Sequence, residues 1–173
     1  GAYQIDTGNG MFDHMLAQLA RHGLLDVTLH ARGDVHVGWH HLVEDVGIVM
    51  GRALKESVGD AKGITRMAHA YVPLDEALAL TVVDFSGRGH SVLDVPFKGE
   101  GDLGGIPADL LLHFLETFAR EGAFNLHSRV LSGNNAHHIV EALFKSLARA
   151  VRSALSIDPM LQGEIPSTKG TLS

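Results

Sequence analysis

The sequence predicts an α/β protein built from two copies of one unit. Segments with helical and strand-like hydrophobic periodicity alternate along the chain, and two groups of segments recur in the same order in its second half. The motif HHLVE at His40–Glu44 returns 97 positions later as HHIVE at His137–Glu141. A chain of 173 residues can bury a sizeable core. We therefore expect two similar halves within one compact domain.

The second recurring group lies upstream of each His-His motif. HMLAQLARHG at His14–Gly23 matches HFLETFAREG at His113–Gly122, with His, Leu, Ala, Arg and Gly in step. Because the copies keep side chains that bind metal ions, the duplication indicates a metal-binding function.

The elements of the first half follow from changes of periodicity at glycine-containing breaks. They are a helix over residues 12–21, a strand over 25–31, a turn at Gly33-Asp34 and a helix over 40–57. Three strand-like segments follow, over residues 65–72, 77–85 and 90–95. The glycine-rich segment 99–105 is the candidate loop between the halves. This places the first repeat in residues 1–98 and the second repeat, with a C-terminal tail, in 99–173.

The second half repeats the order of the first. Its predicted elements are a helix over residues 107–120, a strand over 124–131, a turn over 133–135 and a helix from 137 to about 155. The last helix is amphipathic, and Lys145 lies one turn beyond Glu141 on the polar side. The tail lacks periodicity, but its Ser-Thr-Lys run at 167–169 could bind an anion.

Composition excludes several classes of function. The formal net charge of -6 argues against general binding of nucleic acids or acidic membranes. The chain has no cysteine, which rules out disulfides, thiolate metal sites and a cysteine nucleophile, and favours the cytoplasm. No apolar run has the length of a membrane span, and no signal peptide is evident. The first residue is Gly rather than Met, so we expect the chain to begin inside a longer protein.

Helical spacing predicts how the recurring histidines bind metal. Residues four apart share a helix face, so His40 or His41 can converge with Glu44, and the second motif can do the same. Neighbouring rings on a helix diverge by roughly 100°, so each His-His pair is better placed to reach two different ions. With His14 and His113 added, two sites would each have about three His and one Glu. The remaining histidines are predicted to be surface or partly buried side chains, with His22 intermediate: His30, His36, His69, His90 and His127.

Two other classes of function fit these residues. A dinuclear metal-dependent phosphoester hydrolase is one, although such sites usually rely on bridging Asp residues between close ions. A metal-storage or metal-assembled structural oligomer is the other, but it would leave unexplained the basic side chains Arg66, Arg88, Lys145 and Lys169.

In its motifs and their order, the chain resembles imidazoleglycerol-phosphate dehydratase of histidine biosynthesis. The resemblance extends over essentially the whole sequence and is carried by FDHML at 12–16, Gly33-Asp34, HH with EDVGI at 40–48, Pro73 with DEAL at 75–78, SGR at 86–88, HH with EA and FK at 137–145, and PSTKG at 166–170. No single motif is decisive, but the ordered set is highly specific.

The resemblance implies a duplicated α/β unit whose helices pack between two mixed β-sheets. It also implies a homo-oligomer that assembles through trimers into a 24-mer, with two manganese ions per subunit at subunit boundaries. The implied metal ligands are the residues that the repeat identifies: His14, His40, His41, Glu44, His113, His137, His138 and Glu141.

The implied reaction removes water from D-erythro-imidazole glycerol phosphate to give imidazole acetol phosphate. Two manganese ions would bind the substrate imidazolate, whose electrons can expel the side-chain hydroxyl, after which a carboxylate removes the neighbouring C–H proton. Glu141 is the first candidate for this proton transfer and Asp75 a helper. The resemblance assigns substrate and phosphate binding to Gln18, His22, Arg66, Arg88, Lys145, Ser167 and Lys169.

The chain departs from the family pattern in two places. Family members usually continue upstream by roughly twenty residues, including a strand that supplies a glutamate, and that strand region is missing here. Gly38-Trp39 replace acidic residues before the first His-His pair, and Leu42 replaces Thr after it. These changes leave the ligands intact but alter the groups that would orient them.

Overall fold

The computed structural model describes residues 1–96 and 101–172, and these ranges hold four α-helices and six β-strands. The helices are α1 (Gly10–Gly23), α2 (His40–Val58), α3 (Ala108–Glu121) and α4 (Ala136–Ala154). The strands are β1 (Tyr3–Asp6), β2 (Val27–His30), β3 (Met67–Leu74), β4 (Ala77–Asp84), β5 (His90–Asp94) and β6 (Asn125–Ser132). Short 3₁₀ helices lie at Val35–Val37 and Pro159–Leu161.

The described strands form two sheets. β1 and β2 are a parallel pair, and the larger sheet has the order β3-β4-β6-β5. In the larger sheet β4 is antiparallel to β3 and β6, whereas β5 is parallel to β6. The predicted α/β class with two sheets is confirmed. The larger sheet is mixed, and the smaller one is parallel throughout its described pair.

The helices pair across the two repeats. α1 packs on α4, and α2 packs on α3, so each pair joins a helix of the first repeat to a helix of the second. α4 also packs on β3 and β4, α3 packs on β5 and β6, and α1 contacts β1. The helices therefore lie between the sheets, as predicted, and their crossed pairing brings side chains from distant segments together.

The core follows from the amphipathic spacing of the helices. Leu143, Leu147 and Val151 form a fully buried stripe on α4. At the centre, the Phe114 ring packs against those of Phe12, Phe118 and Phe144, with centroid distances of 5.5, 5.6 and 5.7 Å. Burying each such ring stabilises the fold by about 1.5–3 kcal/mol relative to exposure.

The polar caps fix where α1 and α4 begin. The Asn9 side chain accepts a hydrogen bond from the Phe12 backbone N–H. The Asn135 side chain accepts from the N–H groups of His137 and His138. The second His-His pair is thereby held at the first turn of α4. α2 begins at His40 after Trp39, which makes no side-chain capping bond.

Most predicted elements lie within two residues of their observed bounds. β1 was not predicted, because four residues give too short a pattern to recognise. β3 runs two residues beyond its predicted end and includes Pro73, which is tolerated because β3 is an edge strand. The five histidines predicted to lie outside the sites are all exposed. The predicted boundary at residues 98 and 99 lies outside the described residues.

Trp39 and Leu42 are the residues beside the first His-His pair that differ from the pattern described for the resembling family. Leu42 is buried and Trp39 packs against the core, so both fill apolar space beside the first His-His pair.

None of the helices described above combines the length and the apolar composition that a membrane span requires.

Candidate metal centres and basic cavity

Centre A consists of His14, His137 and Glu141, which α1 and α4 bring together. The Nε2 atoms of His14 and His137 each lie 3.0 Å from Glu141 Oε2. His137 and Glu141 are four residues apart on α4, and the crossed packing of α1 on α4 supplies His14. Three donors from two repeats therefore converge on one point.

Centre B consists of His40, Glu44 and His113, which α2 and α3 bring together. His40 Nε2 lies 3.9 Å from Glu44 Oε2, and His113 Nε2 lies 3.7 Å from Glu44 Oε1. The rings of His40 and His113 stack with a centroid distance of 4.9 Å. Centre B repeats the composition of centre A with wider spacing.

The second histidine of each pair lies outside these centres. The ring centroids of His40 and His41 are 6.2 Å apart and those of His137 and His138 are 6.1 Å apart, and among the described residues only the first ring of each pair belongs to a centre. His41 Nδ1 lies 2.9 Å from Asp34, and His138 Nδ1 lies 2.7 Å from Glu76. Six of the eight predicted ligands thus gather in two groups within one chain, while His41 and His138 do not.

The donors of both centres fit a transition-metal ion. In each centre one ligand atom per residue lies within 4.8 Å of the others. An ion about 2.1 Å from each donor requires separations of roughly 3–4.3 Å, so a small contraction suffices. His113 Nε2 is buried and has no hydrogen-bond partner among the described residues, so this nitrogen fits the role of a metal ligand.

Glu141 is ionised at neutral pH. Burial raises its pKa, but hydrogen bonds from Lys145 and His14 more than offset this, and the pKa of Glu141 falls to about 2. Lys145 Nζ lies 2.6 Å from Glu141 Oε1, as the sequence spacing on α4 predicts. Glu141 therefore offers a charged oxygen to a metal without further cost of deprotonation.

Gln18 and His22 extend centre A along α1. Gln18 Nε2 lies 3.4 Å from His14 Nδ1, and His22 Nε2 lies 3.1 Å from Gln18 Oε1. Burial lowers the pKa of His22, and the charges of Lys145 and Arg149 lower it further. His22 therefore stays neutral at physiological pH and can donate a hydrogen bond into the site.

A separate basic cavity lies between the start of β3, the turn after β4 and the C-terminal tail. It has a volume of about 560 Å³ and is lined by Arg66, Arg88, Ser167 and Lys169 among others. Arg66 makes a bidentate pair with Asp84 at 2.7 and 3.2 Å, and donates to the Pro166 carbonyl at 2.7 Å. Arg66 thus connects the C-terminal tail to the end of β4. Arg88 and Lys169 are exposed.

The basic cavity and centre A lie far apart in one chain. The Arg66 backbone N–H donates to the carbonyl of Ala154, at the last turn of α4. Glu141 lies thirteen residues earlier on that helix, a rise of about 20 Å. The predicted substrate residues therefore divide into one group at centre A (Gln18, His22 and Lys145) and one at the cavity (Arg66, Arg88, Ser167 and Lys169).

Asp75 lies beside the second histidine of α4. Its Oδ2 is 3.7 Å from His138 Nε2, its side chain is 75% exposed, and its φ is 46°. Glu76, the next residue, was not predicted as a site residue, yet hydrogen bonds from His138 and the Asn135 backbone lower its pKa to about 2. Sequence periodicity gave no signal for this contact, because the partners are 62 positions apart.

Comparison with known proteins identifies the family. Residues 7–151 match the family model for imidazoleglycerol-phosphate dehydratase. Imidazoleglycerol-phosphate dehydratases of Dehalococcoides mccartyi and Albidiferax ferrireducens are 55% and 54% identical over 172 residues, which span 99% of this chain and 86% and 84% of those proteins.

Solved structures agree in fold. Imidazoleglycerol-phosphate dehydratase of Staphylococcus aureus has a TM-score of 0.84 and 34% identity, covering 91% of this chain and 90% of that one. The Pyrococcus furiosus protein, solved in complex with (S)-C348, has a TM-score of 0.85 and 38% identity, covering 99% and 92%. The chain therefore belongs to the imidazoleglycerol-phosphate dehydratase family, whose members are hydro-lyases of histidine biosynthesis.

Proposed function

We propose that the protein converts D-erythro-imidazole glycerol phosphate to imidazole acetol phosphate with two Mn²⁺ ions per subunit. The observation that supports this most directly is the pair of His₂Glu centres, one of which lies beside neutral and basic side chains that can bind a polar substrate. Imidazole and carboxylate donors suit Mn²⁺, although affinity alone would also admit zinc, iron or nickel.

The proposed metal ligands are the two centres together with His41 and His138. Among the described residues, the two latter rings belong to neither centre of their own chain and hydrogen-bond to Asp34 and Glu76 instead. They are therefore available to ions held by another copy. When bound, the ions would lower the pKa of the substrate imidazole and so assist departure of the side-chain hydroxyl.

Glu141 is proposed to accept the C–H proton, with Asp75 as a helper. Its pKa of about 2 is too low for an effective base while Lys145 donates to it. If Lys145 turns to the substrate phosphate, that hydrogen bond is lost and the pKa of Glu141 rises. Substrate binding would thus prepare the base, while Gln18 and His22 orient the polar side chain of the substrate.

The basic cavity is proposed to bind the substrate phosphate. Arg88 and Lys169, which form no ion pair within residues 1–96 and 101–172, supply positive charge and Ser167 supplies a hydroxyl, which are the groups that a phosphate dianion requires. Arg66 contributes charge and holds the tail through Pro166. This gives the tail, which shows no periodicity in the sequence, a function in substrate binding.

The separation of the two groups supports an oligomeric active site. The glycerol chain of the substrate is too short to span the rise of about 20 Å between centre A and the basic cavity. We therefore propose that centres and cavities of different copies combine, in a homo-oligomer that assembles through trimers into a 24-mer.

We also propose that the first repeat ends at residue 98 and the second begins at residue 99. The cytoplasmic location stays a prediction from the sequence.

The reaction is tested by measuring two products in one assay. With Mn²⁺ and imidazole glycerol phosphate, we expect an enolisable ketone and no inorganic phosphate, because the phosphate ester survives dehydration. Lys169→Ala should keep metal and assembly but lose about ten- to hundred-fold in kcat/KM, since a charge-assisted hydrogen bond is worth roughly 1.5–3 kcal/mol. Lys62→Ala, at an exposed residue paired with Asp60, is the matched control.

Two results would contradict the proposal. Release of phosphate by the intact protein would indicate a phosphoester hydrolase instead. Wild-type kinetics for Lys169→Ala would show that the tail does not bind the substrate phosphate.

The assembly is tested by removing metal. Chelation at neutral pH should lower the mass measured by light scattering, and Mn²⁺ should restore it, because ions shared between copies stabilise the assembled state. A mass that does not change on chelation would reject metal-dependent assembly.

A further inference from the structure

The second histidine of each pair shares a feature that the repeat does not explain. His41 Nδ1 lies 2.9 Å from Asp34 Oδ2, and His138 Nδ1 lies 2.7 Å from Glu76 Oε2. A carboxylate oxygen can only accept, so each ring carries its proton on Nδ1. Both rings therefore have the same hydrogen bond on the same nitrogen.

The two carboxylates come from unrelated places in the chain. Asp34 precedes His41 by seven residues and lies at the turn before α2. The segment before the second pair is LSGNNA at 131–136 and contains no carboxylate. Glu76, in the turn between β3 and β4, provides the carboxylate for His138 instead. The same arrangement thus arises twice from non-equivalent residues, which indicates that the hydrogen bond itself is required.

Glu76 is held so that it can orient a ring. Its Oε1 accepts from the backbone N–H groups of Asn134 and Asn135 at 3.3 and 3.0 Å, while Oε2 accepts from His138. The Ser132 hydroxyl donates to the Glu76 carbonyl at 3.0 Å. Both carboxylate oxygens are therefore engaged, and the turn before α4 is fixed relative to the β3–β4 hairpin.

We propose that Asp34 and Glu76 are positioning residues that fix the ring orientation of His41 and His138 and hold the proton of the neutral ring on Nδ1, so that Nε2 is the nitrogen left to bind a metal ion. A histidine that donates Nδ1–H to a carboxylate has its tautomer and ring orientation fixed, and its Nε2 becomes a better ligand. The proposal rests on the metal dependence proposed above and adds two residues that act through the ligands.

The test compares variants that change the carboxylate with one that changes only the turn. In Glu76→Gln the amide oxygen can accept from Asn134 and Asn135, which turns the amide NH₂ toward His138 Nδ1 and favours the wrong tautomer. Asp34→Asn replaces the carboxylate that accepts from His41 Nδ1 by a neutral amide, so the preference of His41 for that tautomer weakens. Both should weaken Mn²⁺ binding to the metal-free protein by about 10–100-fold in calorimetry. Ser132→Ala, which keeps the carboxylate, should bind like the wild type.

A second readout does not depend on metal. In the metal-free protein with ¹⁵N-labelled histidine, the wild-type spectrum should show two rings protonated at Nδ1 that lose this signature in Asp34→Asn and Glu76→Gln respectively. Circular dichroism should show unchanged helix content in each variant.

The outcomes separate the possible failures. Wild-type Mn²⁺ affinity in Asp34→Asn and Glu76→Gln, or an equal loss in Ser132→Ala, would overturn the positioning role. A wild-type protein that binds no Mn²⁺ would refute the proposed metal dependence instead, and the histidine spectra would then decide the positioning role alone.

Discussion

Centres A and B have the same types of candidate ligand but different surroundings. In centre A both imidazole nitrogens lie 3.0 Å from a Glu141 carboxylate whose side chain is 11% exposed. In centre B the corresponding distances are 3.9 and 3.7 Å, and the Glu44 side chain is 36% exposed. Glu141 pairs with Lys145 at 2.6 Å, whereas Arg120 lies 3.9 Å from Glu44. Centre A therefore has the more buried and more tightly paired carboxylate, and centre B has the more exposed one.

The difference extends to the positions that surround the ligands. Gln18, His22 and Lys145 beside centre A correspond in the repeat to Thr117, Glu121 and Ile48 beside centre B. Glu121 pairs with Arg52 at 2.9 Å rather than extending the site, and Thr117 is fully buried. The candidate ligands recur in both copies, whereas Gln18, His22 and Lys145 are each replaced by a different residue type in the other copy. We infer that both centres hold metal and that centre A also carries the proton transfer.

The largest expected effect comes from replacing each carboxylate. Glu141→Gln should lower activity by about 10³-fold or more, because it weakens centre A and removes the proposed base. Glu44→Gln should lower manganese content similarly but reduce activity less once Mn²⁺ is in excess, because only a ligand is lost. Elemental analysis and kinetics at saturating Mn²⁺ measure both.

Equal residual activity of the two variants at saturating Mn²⁺ would contradict the functional difference between the centres. Manganese content at the wild-type level in both would contradict the assignment of these carboxylates as ligands. His90→Gln, at an exposed residue of β5 outside both centres, is the control for nonspecific effects of surface substitution.

The grouping of the candidate ligands could be predicted in part from the sequence because helical geometry links residues four apart. His137 and Glu141, or His40 and Glu44, share a face wherever the helix lies. The repeat then identified His14 and His113 as their companions. The α/β class followed for the same reason, since it depends on local periodicity and on the order of the elements.

The non-local partners could not be predicted in this way. Periodicity does not show that α1 packs on α4 of the other repeat. The sequence therefore does not predict that His14 lies beside Glu141 and His113 beside Glu44. The contact between Glu76 and His138 and the pair between Arg66 and Asp84 likewise join segments through the larger sheet. Arg66 and Arg88 were assigned through resemblance alone, and only the fold shows that they line a cavity distant from centre A.

Lowering the pH should reduce the unfolding free energy of the metal-free protein, because Glu141 becomes protonated. The pKa of Glu141 lies at about 2 in the folded chain, below its usual 4.5. A lowered pKa stabilises the fold above the unfolded value, so this contribution is complete above about pH 4.5 and is lost as the pH falls toward 2. Glu141→Gln should flatten the dependence of the unfolding free energy on pH in this window, by up to about one proton.

Glu44→Gln serves as the comparison in the same titration, because it leaves Glu141 with Lys145 and His14. Urea unfolding at several pH values measures both variants, with EDTA present throughout. An acid-dependent loss in Glu141→Gln as steep as in the wild type would show that the hydrogen bonds to Glu141 do not stabilise its charged carboxylate in the fold.

The smallest expected effect lies beneath centre B, at Thr117, the counterpart of Gln18. Its side chain packs against Gly47 of α2, and its Oγ1 is buried without a hydrogen-bond partner among the described residues. A buried hydroxyl without a partner costs stability, and Val has nearly the same shape with a methyl in its place. Thr117→Val should therefore raise the unfolding free energy by about 1 kcal/mol.

Thr81→Val is the matched control, because Thr81 is equally buried but its hydroxyl bonds to Ser128 at 2.8 Å and to Ser146 at 2.6 Å. It should lower the unfolding free energy by about 1–3 kcal/mol, since two hydroxyls lose a partner. Urea denaturation of the metal-free variants measures both. Destabilisation by Thr117→Val would instead indicate that the Thr117 hydroxyl has a hydrogen-bond partner in the folded protein. The counterpart of Gln18 in the second repeat would then have a polar role beside centre B.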